Sequence, residues 1–416
     1  MVQKLSKHGT IQTIFSQCLI GFAAVFLGCP AEVVCALPSH YQIVAAQDLP
    51  QAIADFANDL SSRLVAEKGE SASFAISPTS IVAALGMALK IVHPEKKREF
   101  LEAIGLWWMT ENEAHQAIGA ALRAMALPED FEQGTMEVAQ GFMRKPKILV
   151  AKALSNLLQE NYDAELIVSE NLMNEVNQWV NRKTHGKIPT ILSDNRSDAV
   201  LLNAIYLAFQ WKDPFLKPQG GWKVENFTFA NGESAPVSMM KQTIKAPIYR
   251  GDRFDLLEVP YESPEGRSLS QLIILPHDPK DLSEIEKGLT AKALQSFRKQ
   301  AMKQEVRLSM PKIKMESSFS LLELLQEMGL PLDQLDETLF FSEEMKVSGV
   351  LHKTFVATDE KGTEAAAVTA VTVRCTCMPM QPIEFKMDHS YCYFLMDGDT
   401  ALFRGRVADG SPLLVD

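Results

Sequence analysis

Eight histidines and six cysteines are the side chains of this 416-residue chain best suited to act as nucleophiles, bases or metal ligands. Their spacing argues against such use. The sequence holds no His-Glu-x-x-His, no paired Cys-x-x-Cys, no Gly-x-Ser-x-Gly and no glycine loop built to cradle phosphate. The one Cys-x-Cys, Cys375-Thr376-Cys377, lacks the further ligands that a zinc site needs. No pattern supports a Cys–His nucleophile pair. His185 and His352 lie in strongly patterned surroundings and read as hydrogen-bonding structural residues. The expectation is a protein with no catalytic residue, no cofactor and no metal.

A different chemistry is open to the run Glu360-Lys361-Gly362-Thr363-Glu364-Ala365-Ala366-Ala367. It is the backbone chemistry of strand addition. Alternation puts Thr363, Ala365, Ala367, Thr369, Val371 and Val373 on one face, all small or β-branched. The other face carries Glu364, Ala366, Val368, Ala370, Thr372 and Arg374. No proline interrupts residues 360–377, so no ladder donor is lost. Gly362 can serve as a flexible pivot. The residues alone leave two readings open: a segment that joins a sheet, or a native strand with alanine-rich packing.

Composition narrows the class. At 46% hydrophobic and 22% charged the chain is globular, and no low-complexity stretch or repeat appears. A net charge of −11 argues against nucleic acid or an anionic membrane as partner. The basic clusters Lys96-Lys97-Arg98 and Arg144-Lys145-Pro146-Lys147 read first as solvated surface and only second as a polyanion site. Lys4 and Lys7 precede an apolar stretch from Ile14 to Gly28, and Val34-Cys35-Ala36 follows, the order of a secretory signal. Removal after Ala36 leaves one domain, residues 37–416, secreted (extracellular, or periplasmic if bacterial) with no membrane contact. A retained anchor, or a lipid on Cys29, is the lesser reading. Beyond that segment only Cys375, Cys377 and Cys392 remain, an odd number that describes no disulfide framework. Asn195-Arg196-Ser197 and Asn226-Phe227-Thr228 are glycosylation sequons that matter only in a eukaryotic secretory pathway.

The elements that must position the 360–377 segment follow from periodicity. Leu49, Ile53, Phe56, Leu60 and Leu64 recur at helical spacing. Ser77 and Pro78 cap a helix running to about Leu89. The middle of the chain is expected to be helical to about residue 185. Strands are expected at Ala199–Leu207, Phe254–Val259, Leu272–Leu275, Glu305–Met310, Tyr391–Met396 and Ala401–Val407. Ser318–Met328 reads as a helix stopped at Gly329. Helices first and strands later imply an α+β fold.

Several collinear segments resemble the serpin family. They are Phe74-Ala75-Ile76-Ser77-Pro78-Thr79-Ser80-Ile81, Asn177-Gln178-Trp179-Val180 with Thr184-His185-Gly186-Lys187-Ile188, Leu202-Asn203-Ala204-Ile205-Tyr206 with Trp211 and Phe215, Val259-Pro260-Tyr261, and Phe403-Arg404-Gly405-Arg406-Val407. His352-Lys353 followed by residues 359–369 is the strongest match. The match is poorer between Ile91 and Glu170.

The resemblance implies a serpin fold: a large central, mostly antiparallel sheet, two further sheets, about eight or nine helices and an exposed reactive loop at about 360–382. It implies a suicide-substrate inhibitor whose loop is cleaved by a protease, inserts as a strand and traps the acyl-enzyme. The hinge would be Glu360, Gly362, Thr363, Glu364, Ala365, Ala366 and Ala367. Counting fourteen residues on from Gly362 puts the reactive bond at Thr376–Cys377, which suits an elastase-like or subtilisin-like serine protease. Arg374–Cys375 is the rival bond, for a trypsin-like enzyme; Cys375–Thr376 is a third choice, and a cysteine protease target stays open. Ser77, Ser80, Asn203 and His352 would form the region where the sheet opens, with Asn203 and His352 bonded across the parting strands. Trp211 and Lys312 would lie at the top of the sheet, Lys312 paired with Glu360. A monomer is expected. The alternative function is that of a non-inhibitory serpin: a carrier, chaperone or storage protein.

Overall fold

The computed structural model describes residues 39–340, 350–363 and 381–415, with side chains from residue 49. Met1–Ala45 and Ala46–Asp416 are separate compact units. In the first, only the helical residues 39–45 are described. The second contains everything below.

Helices are α1 (Ser39–Lys68), α2 (Pro78–Ile91), α3 (Lys97–Ala103), α4 (Glu111–Ala124), α5 (Lys152–Tyr162), α6 (Leu172–Lys183), α7 (Leu282–Lys287), α8 (Ala291–Gln300) and α9 (Leu322–Glu327). Strands are β1 (Phe74–Ile76), β2 (Gly134–Arg144), β3 (Glu165–Val168), β4 (Ala199–Gln210), β5 (Lys223–Thr228), β6 (Ser234–Arg250), β7 (Phe254–Pro260), β8 (Leu269–Pro276), β9 (Met302–Pro311) and β10 (Ile313–Ser320). They continue with β11 (Leu351–Thr358), β12 (Gly362–Thr363), β13 (Ile383–Lys386), β14 (Tyr391–Asp397) and β15 (Thr400–Val407).

The helical stripe of α1 is buried from Leu49 through Leu64, as its spacing requires. Ser77 caps α2 by accepting from the Ser80 N–H, with Pro78 at the first helical position. Nearly every side chain of α2 is buried, so it is a core helix rather than an amphipathic one. Every residue of β8 is buried, as a central strand between two packed layers must be.

Among the described residues the strands form two sheets. One runs β10-β11-β12-β4-β2-β3. The other runs β1-β15-β14-β8-β7-β6-β9-β13, with β5 also on β6. The long strand β6 makes the second ladder continuous: it pairs with β5 near Ser234–Met239, with β9 over Met239–Ile248 and with β7 at Ile248–Arg250. The α2 helix lies between the sheets, and α6 packs on β2 and β4, its Trp179 over Gly141.

Two expectations about elements fail. The middle of the chain is not helical throughout, because β2 forms an eleven-residue antiparallel ladder with β4. Its sequence shows no clean alternation; the pairing partner decides it. Residues 318–320 belong to β10, whose side chains alternate buried and exposed and pair with β11, so the helix begins only at Leu322.

Candidate functional site

Between β11 and β4 lies the two-residue strand β12. Thr358 pairs with Thr363 on one side; Gly362 and Thr363 pair with Gln210 and Phe209 on the other. The long strands are thus joined through β12 rather than to each other. A tight turn delivers the chain from β11 into this slot. Asp359 Oδ1 accepts from the N–H groups of Lys361 (2.8 Å) and Gly362 (3.3 Å), and the Asp359 N–H donates to the Gly362 carbonyl (2.9 Å).

Gly362 is a glycine for space, not for a special backbone angle. A Cβ there would stand 1.9 Å from the Phe209 carbonyl oxygen. The pivot read from the sequence is therefore a close-approach position. Thr363 is 2% exposed, and its hydroxyl lies 2.5 Å from the Tyr261 hydroxyl. Tyr261 stacks on Trp211 at 4.4 Å and 10°. Trp211 grips the turn in turn: its indole N–H donates to the Asp359 carbonyl (3.0 Å) and its backbone N–H to that of Lys361 (2.8 Å).

Glu360 is held beside this cluster. Lys312 Nζ lies 3.2 Å from its carboxylate, the Trp222 indole N–H donates to it (3.4 Å), and its carbonyl accepts from the Phe215 N–H (2.8 Å). Burial opposes ionisation of Glu360, but its backbone hydrogen bond, Lys312 and Trp222 outweigh that and hold the carboxyl below its ordinary range. Tyr261 and Trp222 went unassigned in the sequence. Tyr261 stood inside the Val259-Pro260-Tyr261 motif without a role; Trp222 follows Gly220-Gly221 with no local signal at all.

Ser77, Ser80, Asn203 and His352 also come together. The Ser77 N–H donates to His352 Nε2 (3.1 Å), the Ser77 hydroxyl to the Leu402 carbonyl (2.8 Å), and the Ser80 hydroxyl to Asn203 Oδ1. The expected bond between Asn203 and His352 is replaced: each turns to the start of α2, because the strands that carry them stand apart. His352 is 6% exposed, and burial pushes its imidazole down to about 4. A neutral ring fits the geometry, since Nε2 must be bare to accept from Ser77. Asn203 Nδ2 is shut from solvent and has no partner among the described residues. A cavity of about 80 Å³ opens here, lined by Ser80, Leu85, Phe142, Asn203 and His352 among others. The fold has left room, and an unused donor, between two strands that β12 links only at one end.

Glu364, Ala365, Ala366 and Ala367, the bond Thr376–Cys377 and its rival Arg374–Cys375 lie outside the described residues. Cys392 is free and fully buried, and burial pushes its thiol up, so it is not a nucleophile. Lys96, Lys97 and Arg98 pair with Glu99, Glu111 and Glu102, while Lys145 and Lys147 share Asp198. Arg144 instead donates to the Ile148 carbonyl.

Comparison with known proteins agrees with this geometry. The family model described as "Serpin (serine protease inhibitor)" matches residues 51–410. An uncharacterised serpin-like protein of Thermococcus kodakarensis is 35% identical over 56% of this chain and 55% of its own length. The leukocyte elastase inhibitor of Equus caballus is 31% identical over 86% of this chain and 99% of its own. Among solved structures, human thyroxine-binding globulin superposes with a TM-score of 0.78 at 22% identity, covering 88% of this chain and 99% of that one. A sheet with two long strands parted around a short hinge strand, together with a family match across nearly all of the described domain, has one meaning: the chain belongs to the serpin family.

Proposed function

We propose that this protein is a protease inhibitor that acts as a suicide substrate. A protease cleaves the loop beyond Thr363, the freed segment adds to the sheet between β11 and β4, and the acyl-enzyme is carried away before hydrolysis completes. Strand addition of this kind is an established mode of recognition, with serpin loop insertion as an instance. The observation that carries the reading is the slot itself. β12 already pairs with both neighbours at one end, and the residues that would follow it on the same face are Ala365, Ala367, Thr369, Val371 and Val373. None is too large or charged to be buried. Each added ladder hydrogen bond contributes about 1 kcal/mol, so insertion is strongly downhill and the uncleaved form is held kinetically.

The reactive bond proposed is Thr376–Cys377, and the target class a serine protease with a small apolar pocket. The segment before residue 37 is proposed to be a secretory signal. The test mixes the protein with elastase-like, trypsin-like and subtilisin-like proteases and resolves the products on denaturing gels. A covalent complex is expected with the first or last, and mass spectrometry of the released fragment should place the cut after Thr376. Cleavage by all three with no complex and no gain in thermal stability would sink the inhibitory reading in favour of a carrier or storage role.

A further inference from the structure

The connection from α6 to β4, residues 184–198, crosses the outer face of the slot between β4 and β11. Its start is anchored on β2 and β4. His185 has a φ of +49°, one of two non-glycine residues with positive φ among the described residues, and Gly186 follows at +81°. A left-handed backbone is unfavourable for an L-residue with a Cβ. The reversal puts the imidazole on the sheet: Nε2 lies 3.0 Å from Glu137 Oε1 on β2, and the ring centroid lies 4.4 Å from that of Tyr206 on β4.

A few residues on, the same connection meets β11. Lys187 Nζ lies over the Phe355 ring at 5.3 Å, and Lys353 Nζ donates to the Thr190 carbonyl at 2.9 Å. Residues 185–190 therefore form a strap tied to both walls of the slot. The ties are unequal. On the α6 side Asn177 Oδ1 accepts from the Ile191 and Leu192 N–H groups (2.8 and 2.9 Å), its Nδ2 donates to the Leu192 carbonyl (2.8 Å), and Ile188 and Leu192 are buried with Trp179 and Leu202. On the β11 side one exposed hydrogen bond and one cation–π contact hold it, each weak alone.

Strand register shows what would lie beneath. Thr363 pairs with Thr358 and Phe209. Continued along both antiparallel ladders, Ala366 falls between Tyr206 and Phe355, and Val368 between Ala204 and Lys353. Ala204 and Phe355 pack on the α6 side of the sheet, whereas Asn203 turns to α2. Ala366 and Val368 would thus point at the strap and not at water. Glu364 would fall opposite Ala208 and Ala357, above it.

We propose that residues 185–190 gate the slot: the strap releases β11 at Lys353 to admit the strand, then closes over Ala366 and Val368. This rests on the inhibitory reading. It sets a size limit on the outer face of the strand, where alternation alone leaves every side chain free.

Melting of loop-nicked against intact protein tests it. The unvaried protein should gain stability on nicking. No gain overturns the inhibitory reading, and the gate falls with it. Given that gain, Ala366→Trp should lose most of it and Glu364→Trp should keep it; equal gains for the two overturn the gate alone. Uptake of a synthetic peptide of residues 364–374 by the uncleaved protein, timed on native gels, reads the release step without a protease. Lys353→Met keeps the aliphatic stem and removes the donor, and should speed uptake about fivefold, the factor expected for one lost hydrogen bond. An unchanged rate overturns release at β11.

Discussion

Thr363 has both its backbone and its hydroxyl engaged, the first in a ladder on two sides and the second with Tyr261. At 2% exposure it leaves no room for a charge. Thr363→Arg should therefore turn an inhibitor into a substrate, because the guanidinium would have to be buried unpaired. The yield of gel-stable complex checks this, and an unchanged yield would contradict it. Gly362→Ala should loosen the uncleaved protein by about 1–3 kcal/mol, the usual cost of overpacking, since its Cβ meets the Phe209 carbonyl at 1.9 Å. Thermal melting of the intact chain reads that loss. His352 predicts an acid limb. Its folded value of about 4 lies below the ordinary 6.5, so the neutral ring's contribution is complete above 6.5 and is lost as pH falls towards 4. The amount is on the order of 3 kcal/mol. His352→Gln should flatten that limb in a melting series across the same window.

At the scale of elements, strand β13 follows the proposed loop and is tied down at its end. His389 Nδ1 lies 2.9 Å from the Asp388 carboxylate and Nε2 2.6 Å from the Pro276 carbonyl. Both partners accept, so the ring holds both only as the cation. Burial lowers the imidazole's value, yet these two acceptors outweigh it and the net shift is upward. A raised histidine contributes fully below its ordinary value of 6.5 and loses that contribution as pH rises through the folded value. Hydrogen-exchange protection of the β13 and Ser390 amides should fall as pH rises above 6.5, and His389→Gln should remove that pH dependence. Elements also show where local reading stops. The run Phe319, Leu321, Leu322, Leu324 and Leu325 suits a helix, yet the alternation of β10 and its partner β11 claim its first residues. For β2, glycine, glutamine and methionine obscure any period, and only the ladder to β4, more than fifty residues away in sequence, makes it a strand.

For the molecule as a whole, the inhibitory reading requires that cutting the loop releases stability. Cleavage within residues 364–380 should raise the melting temperature by roughly 10 °C or more, given about ten new ladder hydrogen bonds. A scan of cleaved against intact protein decides this without any target protease. The intact form is expected to be the less stable of the two, with the space between β4 and β11 as its visible mark.

The sequence by itself determined the family, the capped start of α2 at Ser77-Pro78, the buried stripe of α1 and the small-residue face that begins at Thr363. These are local properties, written in residue type, period and order. It also named residues that converge, among them Ser80 with Asn203 and Lys312 with Glu360. Tertiary structure alone decided that Gly362 is needed for close approach, that Tyr261 receives Thr363, that Trp222 reaches Glu360, and that Asn203 and His352 face α2 rather than each other. Those outcomes depend on the distance between strands that are far apart in the chain. No spacing within one segment encodes that distance, because the packing of both sheets on α2 sets it.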